Sequence, residues 1–143
     1  MMAIGEILWE GKGKTAITTV EDITAEGAKL NYTWSAELKG CGKAAGIDGV
    51  ITFTGTKIAP LKGGGSGNTN GRGIFFTAKG GDMAVIKSSG YGNPRWKKTK
   101  SLEIWSFMTV SKKLNWLNTV VAIVTQEGDS AWKEFNVTIN EWK

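Results

Sequence analysis

Residues 29–39, Lys-Leu-Asn-Tyr-Thr-Trp-Ser-Ala-Glu-Leu-Lys, alternate strictly between polar and apolar side chains. The apolar members are Leu30, Tyr32, Trp34, Ala36 and Leu38. Successive side chains of a β-strand point to opposite faces, so this alternation predicts a strand with one buried face and one solvent face. The segment is the clearest strand signal in the chain, and the rest of the fold is inferred outward from it.

Similar alternating segments, rich in Thr, Val, Ile, Trp and Phe, lie on both sides of this strand and are separated by turn-forming residues. We predict strands at 4–20, 28–39, 49–59, 71–79, 82–91, 95–110, 114–126 and 131–142. Most connections are short, which requires antiparallel neighbours. The sequence therefore predicts an all-β chain whose residues 1–143 form one domain, a single antiparallel up-and-down β-barrel of about eight strands. Closure removes unpaired strand edges. A two-sheet sandwich is the alternative architecture.

Glycine is abundant, with 20 of 143 residues, about twice the usual share. Gly11, Gly13, Gly55, Gly73 and Gly90 all fall inside predicted strands. Glycine inside a strand indicates a bulge, a bend or a close approach of another backbone, and barrel strands need such bends.

The densest glycine run, 63–73, is predicted to be a loop between strands. A loop of this kind lies at one mouth of a barrel. There it could act as a lid, or as an anion site in which Arg72 assists the backbone N–H groups.

The composition excludes several kinds of site. The chain has no His and one Cys, Cys41. It therefore lacks the His of a Ser-His or Cys-His nucleophile, the proximal His of a haem protein and the usual His-ligated zinc site. An intrachain disulfide is excluded as well. We expect no metal and no cofactor, and the composition favours a binding protein over a standard enzyme.

The net charge of +5 lies entirely in residues 72–143. Its densest part is Arg95, Lys97, Lys98 and Lys100, with Trp96 between them. Basic residues beside an aromatic ring are typical of proteins that bind single-stranded nucleic acid by stacking. A solvated rim of turn residues is the preferred interpretation, so nucleic acid is the less favoured partner.

No run approaches the roughly 20 apolar residues of a membrane span, and the N-terminal residues do not have the pattern of a signal peptide. With one unpaired Cys, these features predict a cytoplasmic protein. The sixth and seventh predicted strands are apolar on both faces, which predicts a homo-oligomer whose second subunit covers the outer face. A loop or the N-terminal segment could cover that face instead.

The chain contains seven Trp, five Phe and two Tyr. An eight-stranded barrel has a lumen that side chains can just fill, or that holds one small ligand. The candidate ligand-binding residues are Tyr32, Trp34, Phe75, Tyr91, Glu103, Trp105, Phe107 and Asn118. Glu103 shares a strand face with Trp105 and Phe107. If that face lines the lumen, Glu103 is a buried carboxyl with a raised pKa and a candidate acid or base. On the outside it is a surface residue.

The segment Leu8-Trp9-Glu10-Gly11-Lys12-Gly13 resembles the opening of lipocalin-type barrels, where a Gly-x-Trp element leads the first strand. It is also similar to the Trp-x-Gly-x-Gly opening of nitrobindin-like haem barrels. Ile7 stands where Gly is expected, and haem binding does not carry over because the chain has no His. Length, strand count and glycine content also resemble the allene-oxide-cyclase-like barrels. That resemblance implies an eight-stranded barrel, often oligomeric, that holds an apolar ligand and needs few charged groups.

Four functions are consistent with these features. The first is a carrier or sensor of a small apolar molecule in the lumen. The second is a cofactor-free cyclase or isomerase of the allene-oxide-cyclase-like kind, with Glu103 and an inward Asn or Tyr91 as polarising groups. The third is a structural oligomer with a filled lumen, and the fourth is binding of single-stranded nucleic acid. We rank them in this order.

Overall fold

A computed structural model describes residues 4–60, 67–94, 99–128 and 133–143. Its eight strands are β1 (Ile4–Ile23), β2 (Gly27–Gly40), β3 (Gly49–Pro60), β4 (Gly67–Thr77), β5 (Met83–Pro94), β6 (Thr99–Met108), β7 (Val121–Gly128) and β8 (Glu134–Trp142). Two short 3-10 helices, η1 (Gly42–Ala44) and η2 (Asn115–Thr119), follow β2 and precede β7.

The strands form a single closed antiparallel barrel. Each strand pairs with the next along the chain, and β8 pairs with β1 to close the ring. The predicted all-β, eight-stranded up-and-down barrel is confirmed, and the alternative of two stacked sheets is wrong. Closure leaves no open sheet edge. Strand β1 continues past its pairing with β8 and shifts register against β2 at two points, between Thr15 and Ile17 and between Val20 and Asp22.

The seventh predicted strand begins too early. Residues 114–120 are a turn and the 3-10 helix η2, and β7 begins at Val121. Leu114, Leu117 and Val120 are buried at a spacing of three residues, which is the period of a 3-10 helix. The apolar residues that suggested a strand with two buried faces instead close one end of the barrel. Strand β6 likewise ends at Met108 rather than at residue 110.

The predicted glycine-rich loop is partly a strand. Strand β4 begins at Gly67, so residues 67–73 pair with β5, residues 69–73 also pair with β3, and this part of the run does not form a lid or an anion-binding loop. The physical reason is that Gly71 and Gly73 lie on the inner face of β4, where the ring of Phe53 packs against them. Residues 61–66 of the run lie outside the described residues.

Some of the strand glycines make room for aromatic rings. A Cβ atom added at Gly13 would lie 2.5 Å from the ring of Phe135, and one added at Gly49 would lie 2.6 Å from the ring of Phe75. Phe53 occupies the space over Gly71 in the same way. The sequence predicted bends or close backbone approaches at five strand glycines. At Gly11, Gly55 and Gly90 the atom closest to an added Cβ is a backbone carbonyl oxygen, as predicted, whereas at Gly13 and Gly73 it belongs to a Phe ring.

One end of the lumen, which we call the closed end, is filled by Trp9, Phe75, Leu114, Trp116 and Leu117. Trp9 stacks on Trp116 with ring centroids 6.0 Å apart, and Phe75 lies 5.2 Å from Trp9. Leu114 and Leu117 are fully buried. The indole N–H of Trp9 donates a hydrogen bond to the carbonyl oxygen of Ile47 (2.8 Å). This end is a packed apolar core.

The outer surface of β3 to β7 carries many exposed apolar side chains: Val50, Ile74, Phe76, Met83, Val85, Leu102, Ile104, Met108 and Val121. Ile74 lies opposite Val85, and Phe76 lies opposite Met83. A groove of about 550 Å³ runs along part of this surface. Such patches are typical of interaction surfaces. The homo-oligomer stays a prediction.

Within the described part of the chain, no helix combines the length and the apolar character needed to cross a membrane. The cytoplasmic location stays a prediction.

Candidate functional site

The opposite end of the lumen, which we call the polar end, contains Tyr32, Thr69, Ser101, Glu103 and Gln126. All five belong to inner-face positions of β2, β4, β6 and β7, which alternate along each strand with outward-facing positions. Four of them are buried, and Tyr32 is partly buried. Buried polar side chains need hydrogen-bond partners, so their bonding pattern indicates what this end of the barrel can do.

Glu103 lies inside the barrel, with 2% of its surface exposed. Its Oε1 atom accepts hydrogen bonds from the Ser88 hydroxyl (2.6 Å) and from the Trp105 indole N–H (2.9 Å). Strands β5 and β6 place Ser88 directly opposite Trp105, which brings both donors to the same oxygen. The second carboxyl oxygen, Oε2, is therefore left to carry a proton or to contact a ligand.

Burial raises the pKa of Glu103 above the ordinary range for a carboxyl group. The hydrogen bonds from Ser88 and Trp105 stabilise the charged form and counteract this effect only in part. A carboxyl group with a raised pKa keeps its proton to higher pH and can donate it.

Tyr32 lies in the same compartment as Glu103. Its hydroxyl forms a short hydrogen bond with the Thr69 hydroxyl (2.6 Å). Burial raises the pKa of Tyr32, and the charge of Glu103 raises it further. The amine of Lys57 lies over the Tyr32 ring, 5.5 Å from its centroid, and burial lowers the pKa of this amine. The environment therefore favours the neutral form of each of these groups.

Two buried N–H groups have no hydrogen-bond partner among the described residues. They are the indole N–H of Trp34 and the side-chain amide Nε2 of Gln126. The amide oxygen of Gln126 accepts a hydrogen bond from Ser101 (3.1 Å), so only the NH₂ group is unsatisfied. A buried donor without a partner costs about 1–3 kcal/mol, so each of the two needs an explanation.

Gly92 lies opposite Ser101 in the β5–β6 pair, and a Cβ atom added at Gly92 would meet no atom of the described residues within 4 Å. Gly55 and Gly71 differ, because the rings of Tyr32 and Phe53 fill the space above them. Open space at an inner-face position indicates room for an additional group at the polar end.

A stack of aromatic rings separates the polar end from the closed end. The ring of Phe53 lies 5.0 Å from Trp34 and 5.6 Å from Trp105, and all three side chains are fully or almost fully buried. Trp34 and Trp105 were predicted to line a ligand cavity. They do lie inside the barrel, but they pack on each other and on Phe53, so they form an aromatic floor.

Two of the predicted lumen residues lie elsewhere. Tyr91 is 60% exposed on the outer face of β5, because the alternation places its neighbours Gly90 and Gly92 on the inner face. Asn118 is exposed on η2, and its amide group bonds to both the N–H and the carbonyl oxygen of Thr109 (2.8 and 3.0 Å). Its predicted inward position is wrong because residues 114–120 are not a strand.

The other two predicted aromatic residues lie at the closed end. Phe75 is buried beside Trp9. Phe107 is partly buried, and its ring centroid lies 6.4 Å from that of Trp9. Both point inward as expected, but neither belongs to the polar end.

The predicted basic patch is only partly described. Arg72 is exposed on the outer face of β4, opposite Lys87 on β5. Lys100 is exposed on the outer face of β6. Arg95, Lys97 and Lys98 lie outside the described residues. The described part of the chain therefore supplies no assembled basic and aromatic surface for nucleic acid.

The sequence analysis missed Thr69, Ser88, Ser101 and Gln126. A usable signal was present, because each is a polar residue at a position where the alternation requires an inward side chain. In β7, for example, Gln126 continues the inward series of Ala122 and Val124. Such a residue is either paired inside the barrel or directed at a ligand.

No cluster of three or more His, Cys, Asp or Glu suited to a metal ion occurs in residues 4–60, 67–94, 99–128 and 133–143. A groove of about 960 Å³ lies on the outer surface near β1, β2 and β8, and its lining does not include Glu103. Glu103 and the unpaired N–H groups are the most distinctive polar chemistry of the described part, and they lie inside the barrel.

No protein-family model and no curated protein matches the chain. Solved structures do match. A β-barrel-like protein from Acinetobacter baumannii is 16% identical with a TM-score of 0.74, and the match covers 100% of this chain and 97% of the other. A protein of unknown function from Clostridium acetobutylicum is 11% identical with a TM-score of 0.80, and both chains are fully covered. An enzyme from Penicillium herquei is 17% identical with a TM-score of 0.67, covering 98% of this chain and 95% of that enzyme. At these identities, the comparisons show a shared fold.

Proposed function

We propose that the protein binds a small, largely apolar molecule at the polar end of the barrel. The observation that carries this proposal is the buried Glu103 carboxyl at the same end of the lumen as the unpartnered Gln126 Nε2, with a second unpartnered donor, Trp34 Nε1, in the aromatic floor. A bound molecule that supplies hydrogen-bond partners would remove the cost of leaving these groups unpaired. Small-molecule sites generally combine apolar walls with a few polar groups of this kind.

The surroundings of Glu103 support an apolar ligand with one polar region. The packed rings of Trp34, Phe53 and Trp105 form an apolar floor, and the space at Gly92 lies beside the polar pair Ser101 and Gln126. The apolar part of the molecule would contact the floor. Its polar part would reach Glu103 and the unpaired donors.

Native mass spectrometry of the purified chain is the first test, because it reports a co-purified small molecule and the number of subunits together. The second test uses Gly92→Val, whose Cβ position meets no atom of the described residues within 4 Å. We expect this variant to lose most of its affinity for the co-purified molecule in isothermal titration calorimetry. The control is Ser89→Val, on the exposed outer face of the same strand. Equal affinity of Gly92→Val and the parent would show that the space is not the binding site.

A second candidate function is a cofactor-free cyclase or isomerase that uses the same site. It is favoured by the position of Glu103, whose Oε2 is not used by Ser88 or Trp105 and whose pKa is raised by burial. Such a carboxyl can give a proton to one atom of a bound molecule and take a proton from another, so the molecule is rearranged without any change in composition. The similar barrel from Penicillium herquei is described as an enzyme.

Glu103→Gln separates the two functions. The amide oxygen can still accept the hydrogen bonds from Ser88 and Trp105, but the side chain no longer transfers a proton. If the co-purified molecule is a substrate, the parent converts it to an isomer of the same mass and Glu103→Gln binds it without conversion. Conversion at the parent rate in the variant would exclude Glu103 as the acid or base.

A further inference from the structure

The outer face of β4 to β6 carries a group of exposed apolar side chains near the closed end, which we call the apolar band. Its members are Ile74, Phe76, Met83, Val85, Met108 and Val110. Phe76 lies opposite Met83, and Val85 lies between Ile74 and Met108 in the next row across the sheet. Met108 is 66% exposed, and Val110, just beyond β6, is fully exposed. A contiguous exposed patch of this kind marks an interaction surface.

Cationic side chains border the apolar band on two sides. Arg72 and Lys87 lie opposite each other on β4 and β5, in the row that follows Ile74 and Val85. On the other side, Lys79 lies in the turn between β4 and β5, and the exposed Lys112 and Lys113 follow β6. None of these five cations forms an ion pair with another residue that the structure describes.

The apolar band and the cations belong to one continuous surface. A groove of about 550 Å³ is lined by Ile74, Val85 and Met108 together with Arg72 and Lys87. Outward positions that follow each other along a strand are about 7 Å apart, so the long side chains of Arg72 and Lys87 can extend beside the band.

Acidic groups are scarce on this face. Glu103 is the only acidic residue of β4, β5 and β6, and it points into the barrel. Asp82, in the turn before β5, accepts a hydrogen bond from the Ser111 hydroxyl (2.8 Å). Glu37 and Asp48 lie towards β2 and the start of β3. The face therefore combines an apolar centre with an excess of positive charge.

We infer that this face docks on the surface of an anionic lipid membrane. The apolar band enters the boundary between headgroups and acyl chains, which removes its side chains from water. Arg72 and Lys87 on one side of the band, and the turn lysines on the other, contact the anionic headgroups. The inference goes beyond the proposed ligand site inside the barrel and does not depend on it.

A second copy of the chain fits this face less well. In a two-fold dimer the same surface meets itself, so the cations of both copies approach each other. The outward positions of β4 to β6 supply no acid that could pair with Arg72 and Lys87. Burying charges without partners is costly, whereas anionic headgroups supply the partners that a second copy lacks.

Vesicle co-sedimentation tests the inference on the unaltered chain. Two kinds of vesicle are compared, one of phosphatidylcholine alone and one of equal parts phosphatidylcholine and phosphatidylglycerol. We expect partitioning onto the anionic vesicles to be at least about tenfold stronger in dilute buffer, because each cation near such a surface strengthens binding about fivefold. Added salt should reduce this preference, since it screens the attraction.

Arg72→Gln combined with Lys87→Gln tests the cations. Both side chains are exposed, so the fold should be retained. The double variant should partition onto the anionic vesicles about twentyfold more weakly than the parent. The control, Lys12→Gln combined with Lys39→Gln, removes the same charge from exposed positions on β1 and β2. It should lose about twofold at most, because its changes lie away from the docking face.

Met108→Ser combined with Val110→Ser tests the apolar band. These exposed side chains contribute little to the core, and the variant should partition onto the anionic vesicles at least about tenfold more weakly, since less apolar surface leaves water. The control is Ile17→Ser combined with Val20→Ser, which are 61% and 62% exposed on the part of β1 that continues past β8. Its partitioning should equal that of the parent.

Equal partitioning of the unaltered chain onto the two kinds of vesicle, or binding to neither, overturns the inference. A dimer in sedimentation velocity that Met108→Ser with Val110→Ser dissociates, without vesicle binding, would assign the face to a second copy instead. An equal loss in the Lys12 and Lys39 control would show that net charge, and not this face, causes binding. Gly92→Val should leave vesicle binding unchanged, so failure of the ligand site and failure of this inference are seen separately.

Discussion

The two ends of the lumen differ in whether the indole N–H of a buried Trp has a hydrogen-bond partner. At the closed end, the indole N–H of Trp9 donates to the carbonyl of Ile47, and the neighbouring Leu114 and Leu117 are fully buried. In the floor of the polar end, the indole N–H of Trp34 is equally buried and has no partner among the described residues. One end of the barrel is therefore built as a satisfied core, whereas the other keeps unused hydrogen-bonding capacity.

The largest expected effect is at the closed end. Leu117→Ala removes a fully buried side chain from the closed end and should lower the free energy of unfolding by about 2–5 kcal/mol in urea titrations. The control is Leu102→Ala on the outer face of β6, where 45% of the side chain is exposed and a smaller loss is expected. Similar losses in both variants would show that the packing of η2 into the closed end does not stabilise the barrel.

The next largest expected change in unfolding free energy concerns the packing of aromatic rings against glycines. Gly71→Ala places a methyl group into the ring of Phe53 and should cost about 1–3 kcal/mol of unfolding free energy. Gly92→Ala meets open space and should be neutral or stabilising by about 0.4–1 kcal/mol, because alanine reduces the freedom of the unfolded chain. Chemical denaturation measures both. A large loss in Gly92→Ala would show that the space at the polar end is occupied.

Replacing Trp9 or Trp34 by Phe removes the indole N–H group and so compares the two ends directly. Trp9→Phe leaves the Ile47 carbonyl without its partner and should cost at least about 1–3 kcal/mol of unfolding free energy. Trp34→Phe removes a donor that has no partner, so its loss should be smaller by about that amount. Thermal or chemical unfolding of the pair gives the difference. A greater loss in Trp34→Phe would mean that its N–H group is satisfied in the folded chain.

The smallest effect is a dependence of stability on pH that Glu103→Gln removes. The folded-state pKa of Glu103 is raised, so between the unfolded value of about 4.3 and the folded value the folded chain binds more protons. The contribution of Glu103 to stability is therefore fully present below about pH 4.3 and is lost as the pH rises through the folded pKa. Relative to the parent, Glu103→Gln should gain stability between pH 5 and pH 8. A constant difference across that range would contradict the raised pKa.

The barrel could be predicted because its strands follow one simple rule. The alternation of residues 30–38 continues through most of the chain, and short connections force neighbouring strands to be antiparallel. The rule fails at 114–120, where apolar residues occur on both strand faces and the spacing of three belongs to a 3-10 helix. Both patterns are present in that segment, and only the packing of Leu114 and Leu117 into the barrel end decides between them.

The site was less predictable than the fold. Glu103 could be identified because period two groups it with Trp105 and Phe107, and the structure places all three inward. Tyr91 was assigned to the wrong face of its strand, and Asn118 was assigned to a strand although it lies in the 3-10 helix η2. Ser88 and Gln126 were missed because their importance depends on which side chains they meet on the adjacent strand. The pattern within one strand shows that such a residue points inward, but it does not show its partner.

Inward rings pack against glycines on adjacent strands, so it is easier for substitutions to enlarge the space inside the barrel than to rearrange the rings that line it. Shrinking a ring such as Phe53 enlarges the hollow in one substitution, because the glycine beneath it already contributes no volume. Moving that ring to the neighbouring strand takes two coordinated substitutions, since a second bulky group cannot coexist with the first. A single substitution can therefore enlarge the interior, whereas rearranging the aromatic floor requires compensating substitutions on two strands.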